Sequence, residues 1–280
     1  MNNRLFVVNK PLFISSNSYL NRIKRKYKVK KAGFSGTLDP FAKGCLIVAF
    51  GQYTKLFRFL KKTPKTYKAT IFLGAYSPTL DIEKIEKVEI PKQFDEKEIL
   101  EIVESFKGKQ KQIPPKYSAK KIDGVRAYDL ARRGEKVDIK EIEIEIFDIK
   151  VTNYSHPFLS FEASVSEGTY IRSLGYDIAK KLGVEGSLTY LERIKEGKFY
   201  FDNEKALNPI EYLDVEKNEY QNKEDLMLGR KLDINKFKNR TKGIYLLEYD
   251  NYFAIIEIDE NEVKYLLNKV ENVSDCTKNR

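Results

Sequence analysis

Apolar and polar positions alternate, cluster and repeat in ways that divide the chain into short elements. LFVVNKP reads as a strand stopped by Pro11, and SSNSYLNRIKRKYKV as a helix with Ser15 or Ser16 available as N-cap. CLIVAFG suits a buried strand, YTKLFRFLKK a helical turn or two, and YKATIFLG alternates as a strand does. From Asp95 to Phe106 the residues Ile99, Ile102, Val103 and Phe106 share one helical face, with acids at the N-terminal end where the helix dipole favours them. After Pro114-Pro115, YSAKKI and EIEIEIFDIKV read as strands with a helix, VRAYDLARR, between them. LSFEASVS adds a strand, and TYIRSLGYDIAKKLG is a helix ended by Gly183, which can take up the left-handed cap conformation.

This order is not a strict βαβ alternation. It predicts an α+β fold with a mixed, largely antiparallel sheet. Near Asn208-Pro209 the pattern changes, and Glu211 to Asp225 is polar and acidic. The segment GIYLLEYDNYFAIIEIDENEVKYLLNKV then gives two or three strands joined by DN and DEN turns. Two domains are expected, residues 1–210 and 211–280, the second a short linker and a small β-rich module. SDCTKNR reads as a loose tail.

A hydrophobic fraction of 41% with 17 Phe and 18 Tyr suffices for a core, and 33% charged residues give a well-solvated surface. No long apolar run crosses a membrane and the N-terminus lacks signal-peptide features, so a cytoplasmic location is expected. Cys45 and Cys276 lie far apart and His156 is the single histidine, which leaves no ligand set with zinc spacing. Neither a metal nor a cofactor is expected. His156, in the polar connection NYSHPF, reads as an ordinary loop histidine rather than part of a Ser-His-Asp triad.

The net charge of +10 is unevenly placed. Residues 22 to 31 carry seven basic residues in ten, and residues 107 to 140 carry eleven basic against four acidic. Solvated lysine faces explain such blocks, but Tyr27, Tyr117 and Tyr128 are interleaved with them, which suits RNA: lysines neutralise phosphates while rings stack on bases.

Nine lysines and arginines precede the first acid, Asp39, in GFSGTLDPFAKG. The glycines allow sharp turns and close approach, and Pro40 keeps Asp39 out of helical geometry. An Asp-Pro turn is the plain structural reading. A phosphate-binding loop is excluded, because the Lys-Ser/Thr ending is missing and an acid stands where phosphate would bind.

Taken with its flanks, VKKAGFSGTLDPFAKGCLIVAFGQYTKL resembles the signature of the TruB-type tRNA pseudouridine synthases. The likeness continues, in the family's order, through NKPLFISSN, KTYKATIFLG, TLD, IPPKYSAKKIDGVRAYDLARRGE, EGTYIRSLGYDIAKKLG and YLERI. It covers most of residues 5 to 195. The resemblance implies a pseudouridine-synthase catalytic domain, no cofactor, and conversion of the uridine at position 55 in the TΨC loop of tRNA from an N-glycoside to a C-glycoside. Such a reaction requires a flipped nucleotide.

By the same resemblance, Asp39 is the nucleophile or general base, Tyr67 stacks on the target base, and Arg172 pairs with Asp39 and favours its ionised form. Tyr170 and Leu191 would line the pocket, Lys10 would stand at its structural edge, and Thr79 and Asp81 would lie near an RNA-binding insertion. For Tyr67 and Tyr170 a packing role is the plain alternative, and for Thr79 and Asp81 a solvated turn. The family commonly has histidine in GHTGxLDP, where this chain has Phe34 and Ser35, so Phe34 either stacks on a nucleobase or fills space. From about Leu226 the chain is similar to a shortened PUA domain. A monomer acting on the tRNA TΨC arm without guide RNA is expected; a non-catalytic RNA-binding protein and a guide-dependent relative are the alternatives.

Overall fold

The computed structural model describes residues 3–118, 121–122, 125–126, 133, 139–260 and 262–273. Tyr128, Cys276 and the tail SDCTKNR lie outside them. Strands β1 (Arg4–Lys10), β2 (Ala32–Ser35), β3 (Lys43–Phe50), β4 (Lys65–Leu73), β5 (Ala75–Tyr76), β6 (Lys87–Val88) and β7 (Gly108–Gln112) alternate with helices α1 (Ser16–Lys26) and α2 (Glu96–Glu104). There follow β8 (Lys121–Ile122), β9 (Val125–Arg126), β10 (Ile142–Ser155), β11 (Phe158–Val165), α3 (Ile171–Lys181), β12 (Gly186–Glu196) and β13 (Phe199–Tyr200). The C-terminal region holds β14 (Glu216–Lys217), α4 (Lys223–Leu228), β15 (Gly243–Tyr249), β16 (Tyr252–Asp259) and β17 (Glu262–Glu271). Residues Gly51–Phe59, which take in most of the segment YTKLFRFLKK, wind as a 3-10 helix.

Among the described residues one large sheet runs β1-β3-β12-β4-β11-β10-β7, with β2 added to β3 and β13 to β12. Its pairings are antiparallel except between β3 and β12, where Lys43 and Gly44 face Glu192 and Arg193 in parallel. Gly44 has φ +111°, and a Cβ on it would stand 2.3 Å from the Arg193 carbonyl oxygen, so no other residue fits this crossing. Strand β12 is central, although no clear alternation marks it: its segment includes the polar stretch YLERIKE.

One expectation changes. Val125 and Arg126, read as the start of a helix, form a strand paired to Lys121 and Ile122. The Asp-Gly pair between the strands is a two-residue hairpin signal that outweighs the helical look of VRAY; the rest of VRAYDLARR lies outside the described residues, Arg133 apart. His156 sits at the turn joining β10 and β11, its Nδ1 3.1 Å from the Tyr154 hydroxyl.

Alternation explains how the sheet is covered. On β1 and β3, Phe6, Val8, Leu46, Val48 and Phe50 point to α1 and its Leu20 and Ile23. Their neighbours Leu5, Val7, Cys45, Ile47 and Ala49 point the other way, into a cluster shared with Leu246, Phe253, Ile255, Leu267 and Val270 of the C-terminal sheet β14-β15-β16-β17. Strands buried on both faces read as continuous apolar runs, as LFVV and CLIVAF do. The C-terminal sheet also has a second cluster on its other face, built on Tyr245, Leu247, Ile256 and Ile258. Burial pushes the Cys45 thiol up to about 12.

Helices α2 and α3 cover the opposite end of the sheet. Ile99 and Val103 of α2 and Ile171, Leu174, Ile178 and Ala179 of α3 pack on Ile71, Ile146, Phe161 and Leu188; each such apolar side chain stabilises the fold by roughly 1.5–3 kcal/mol relative to exposure. The α3 helix closes as expected, with Leu182 as C-cap and Gly183 at φ +77°. No helix among the described residues is long and apolar enough to cross a membrane.

On α3, Asp177 has no ion-pair partner among the described residues, and burial pushes its carboxyl up to about 6. A folded pKa above the unfolded 3.8 means the folded state holds the proton more tightly, so this group's stabilising contribution is present below pH 3.8 and lost as pH rises through 6. Asp177→Asn is therefore expected to raise the unfolding free energy at pH 7 by about 1–2 kcal/mol, solvent screening included, with the gain vanishing near pH 4. Urea melts of both proteins at the two pH values check it.

Candidate active site

Asp39 stands on the loop between β2 and β3, and both of its flanks are bolted down. Ser15 caps α1 by accepting from the Ser18 amide at 3.1 Å, which frees Ser16 for the loop. Ser16 Oγ accepts from the Leu38 amide at 2.9 Å and donates to the Leu38 carbonyl at 3.0 Å. On the other flank, Lys10 Nζ donates to the carbonyls of Pro11, Ile14 and Pro40 at 2.9, 2.7 and 3.3 Å. Leu38 and Phe41 are buried beneath the loop, so the Asp39 carboxylate, 35% exposed, is the part left at the surface.

Arg172, buried in the first turn of α3, holds that carboxylate by both oxygens. Its Nε lies 2.9 Å from Asp39 Oδ2, and Nη2 donates to Oδ1 at 3.1 Å. The remaining donors turn inward: Nη2 to the Tyr117 carbonyl at 2.8 Å, and Nη1 to the Thr79 carbonyl at 2.8 Å and Asp81 Oδ2 at 3.3 Å. Asp81 Oδ1 in turn accepts from the Thr79 hydroxyl at 2.7 Å and the Glu83 amide at 3.0 Å. Burial raises the Asp81 carboxyl above its ordinary value, opposed by the Thr79 hydroxyl and Arg172.

A pocket of about 360 Å³ opens over this ion pair, lined by Asp39, Tyr67, Tyr170, Arg172, Leu191 and Arg193 among others. Tyr67 comes from β4 and Leu191 from β12. Tyr170 precedes α3, and Gln112 clamps it by accepting from its amide at 2.8 Å and donating to its carbonyl at 3.1 Å. Burial raises the Tyr170 phenol, the Asp39 charge adding to the effect. Other depressions of 470 to 580 Å³ are lined largely by surface lysines and glutamates and contain none of the candidate residues.

Five candidates thus meet at one pocket: Asp39, Tyr67, Tyr170, Arg172 and Leu191. Four do not line it. Thr79 and Asp81 are neither a solvated turn nor at the pocket wall; they are buried behind Arg172. Lys10 is wholly buried as a clamp for the loop, and burial lowers its ammonium to about 8. Phe34 is half-buried on β2, packed against the cluster between β1, β3 and α1. Among the described residues no three His, Cys, Asp or Glu side chains gather as a metal set.

The N-terminal-domain profile of TruB family pseudouridylate synthases matches residues 24–171. A tRNA pseudouridine synthase B from a Sulfurovum species is 55% identical over 274 residues, 98% of this chain and 99% of the relative. The chain belongs to the TruB family of pseudouridylate synthases. A second TruB-family relative, tRNA pseudouridine synthase B from a Nitratiruptor species, is 54% identical over 96% of this chain and 98% of its own length. Among solved structures, one chain of a Cbf5-Nop10-Gar1 complex superposes with TM-score 0.69 over 95% of this chain and 84% of its own, at 18% identity. An archaeal box H/ACA Nop10-Cbf5 complex gives 0.63, again at 18%, over 95% of this chain and 85% of that one. These likenesses show the fold.

The structure adds residues to this TruB-family site that the sequence did not single out. Buried Arg193 donates from Nε to the Cys45 carbonyl at 2.9 Å and from Nη2 to the Gly36 carbonyl at 2.8 Å, and it faces the Tyr67 hydroxyl. Glu196, fully buried, lies 2.9 Å from Arg193 Nη2 and 3.2 Å from Lys65 Nζ. Gly36, at φ +70°, is where this cluster comes closest, since a Cβ there would stand 3.0 Å from Glu196 Oε2. The available signal was the pairing of basic and acidic letters in YLERIKE, because a charge buried on a sheet face needs a partner of opposite sign.

Removing Arg172 would leave Asp81 buried without its cation. Arg172→Ala is expected to lower the unfolding free energy at pH 7 by ~3–5 kcal/mol, and by less at low pH, where a protonated Asp81 no longer needs the partner. Denaturant melts across pH check this; an unchanged deficit at acid pH would show that lost packing, not charge, is responsible.

Proposed function

We propose that the chain isomerises the uridine at position 55 in the TΨC loop of tRNA to pseudouridine, as a cytoplasmic monomer that needs neither guide RNA nor cofactor. The observation that carries this reading is a half-open carboxylate, Asp39, held through both oxygens by a buried arginine at the floor of a pocket walled by Tyr67 and Leu191. Relatives sharing more than half of their residues with this chain over almost their whole length are named for action on tRNA. The likeness to the H/ACA proteins rests on fold at 18% identity, which favours the stand-alone reading.

The chemistry fits the parts. In uridine the bond from N1 to the ribose C1′ breaks, a bond from C5 to C1′ forms, C5 loses a proton and N1 gains one, so nothing is oxidised or reduced. Extruding the base costs a few kcal/mol of stacking, which contacts in the pocket offset. The Tyr67 ring gives the base a face to lie on, and its hydroxyl is fixed beside Arg193. Asp39 acts as nucleophile or base, with Arg172 fixing the direction of its oxygens. Arg172 in turn is oriented by Asp81, so Thr79 and Asp81 serve the reaction from behind the pocket rather than by touching RNA. The C-terminal sheet, residues 211–280 with its linker, is assigned as the PUA-like module that contacts the tRNA, and the basic α1 surface draws in phosphates.

The test is a site-specific pseudouridine assay on unmodified tRNA transcript without added metal or cofactor. Wild-type protein is expected to convert the TΨC-loop uridine. Asp39→Asn is expected to fold, to bind tRNA within about threefold of wild type, and to form no pseudouridine, a loss of at least ~10⁴ in rate. Conversion by the purified variant would remove Asp39 from its role; modification only in the presence of a guide RNA would sink the stand-alone reading.

A further inference from the structure

The turn from Pro11 to Ser15 carries a feature that the catalytic reading leaves unused. Phe13 has φ +58° and is 70% exposed. Backbone in that region is unfavourable for any residue with a Cβ and uncommon for an aromatic, and glycine occupies it freely. Among the described residues Phe13 is the one aromatic with positive φ. Among the described residues no ring or cation packs against it, and Leu12 beside it is 39% exposed. The protein therefore holds a large apolar ring in water, on strained backbone, with no gain to its own packing.

The mount is rigid and well placed. Lys10 Nζ ties the carbonyls of Pro11 and Ile14 to that of Pro40, and Ser16 ties the turn's far end to Leu38. Phe13 thus rides on a segment fixed to the residues immediately before and after Asp39. Helix α1 follows at Ser16 and carries Arg22, Lys24, Arg25 and Lys26 in its later turns, Lys26 already paired with Glu204. Phe34, the aromatic the sequence brought forward for base stacking, is instead packed into the sheet.

We infer that Phe13 is an RNA-contact residue that stacks on a nucleobase next to the extruded uridine, steadying the loop once its target base has left the stack. The inference rests on the proposed function and goes beyond it by assigning a recognition residue outside the pocket. An RNA base is the occupant that suits the place: the ring is carried on a turn tied to both flanks of Asp39, where a flipped nucleotide is received, and that turn leads into a helix whose C-terminal half carries phosphate-binding charge.

The experiment compares wild type, Phe13→Gly, Phe13→Leu and Phe13→Trp for thermal stability, for affinity to unmodified tRNA transcript, and for kcat and KM of pseudouridine formation. Glycine is at ease at this φ, so Phe13→Gly should melt at or above the wild-type temperature. Its affinity and kcat/KM are expected to fall at least about fivefold, with kcat at saturating tRNA within about twofold. Phe13→Leu should fall similarly, and Phe13→Trp should retain wild-type affinity. Wild-type affinity in Phe13→Gly overturns the inference, as does equal binding by the Leu and Trp variants, or a loss of affinity that tracks a lower melting temperature. Failure of wild type to convert uridine would strike the reaction itself, whereas conversion by wild type with full binding by Phe13→Gly strikes this inference alone.

Discussion

Every nitrogen of the Arg172 guanidinium is engaged, and the rest of the site depends on how. Nε and Nη2 meet Asp39, Nη2 also reaches the Tyr117 carbonyl, and Nη1 reaches the Thr79 carbonyl and Asp81. A buried cation must be matched by charge and hydrogen bonds or it destabilises the fold. Here the match comes from three chain segments far apart in sequence. The same contacts that make burial of the arginine tolerable leave it no freedom to turn, so Asp39 meets a partner whose position is fixed before substrate arrives.

A second buried cluster lies beneath the other wall. Arg193, Glu196 and Lys65 sit under Gly36 and beside Tyr67, and Arg193 holds the Gly36 carbonyl. The loop that carries Asp39 is thus pinned at Gly36, at Leu38 and at Pro40, by three different side chains. Such redundancy is what a loop needs to keep one carboxylate in register with a base, because loops are otherwise the mobile part of a fold. The glycines permit the path, and the charges beneath it decide which path is taken.

Much of this was legible in the sequence, and the gaps have physical causes. Asp39, Tyr67, Tyr170, Arg172 and Leu191 were identifiable because their motifs occur in order, and α1, α2 and α3 were readable from periodicity and from Gly183, whereas the short α4 was not. Strand β12 was not, since its buried positions include the charged Arg193 and Glu196, which break the apolar-polar alternation that marks a half-exposed strand, and both went unnoticed with it. Thr79 and Asp81 looked like a polar turn because a buried ion pair and a solvated one use the same letters. Phe13 looked like one more apolar residue in KPLFISS; only the backbone angle set it apart.

The two-sided burial of β1 bears on how the chain is made. Leu5 and Val7 share an apolar cluster with Tyr53, Leu56 and Phe59 and, from the C-terminal sheet, with Leu246, Phe253, Ile255 and Val270, which emerge from the ribosome far later. Until then the strand that leads into Lys10 and the Asp39 loop has one face covered by α1 and the other covered only in part, by Tyr53, Leu56 and Phe59. Joining such distant segments carries a loop-closure penalty that local contacts do not. The C-terminal strands therefore set the moment at which the N-terminal ones become fully secure, and a chain lacking them would carry Asp39 on a sheet with an apolar face only partly covered.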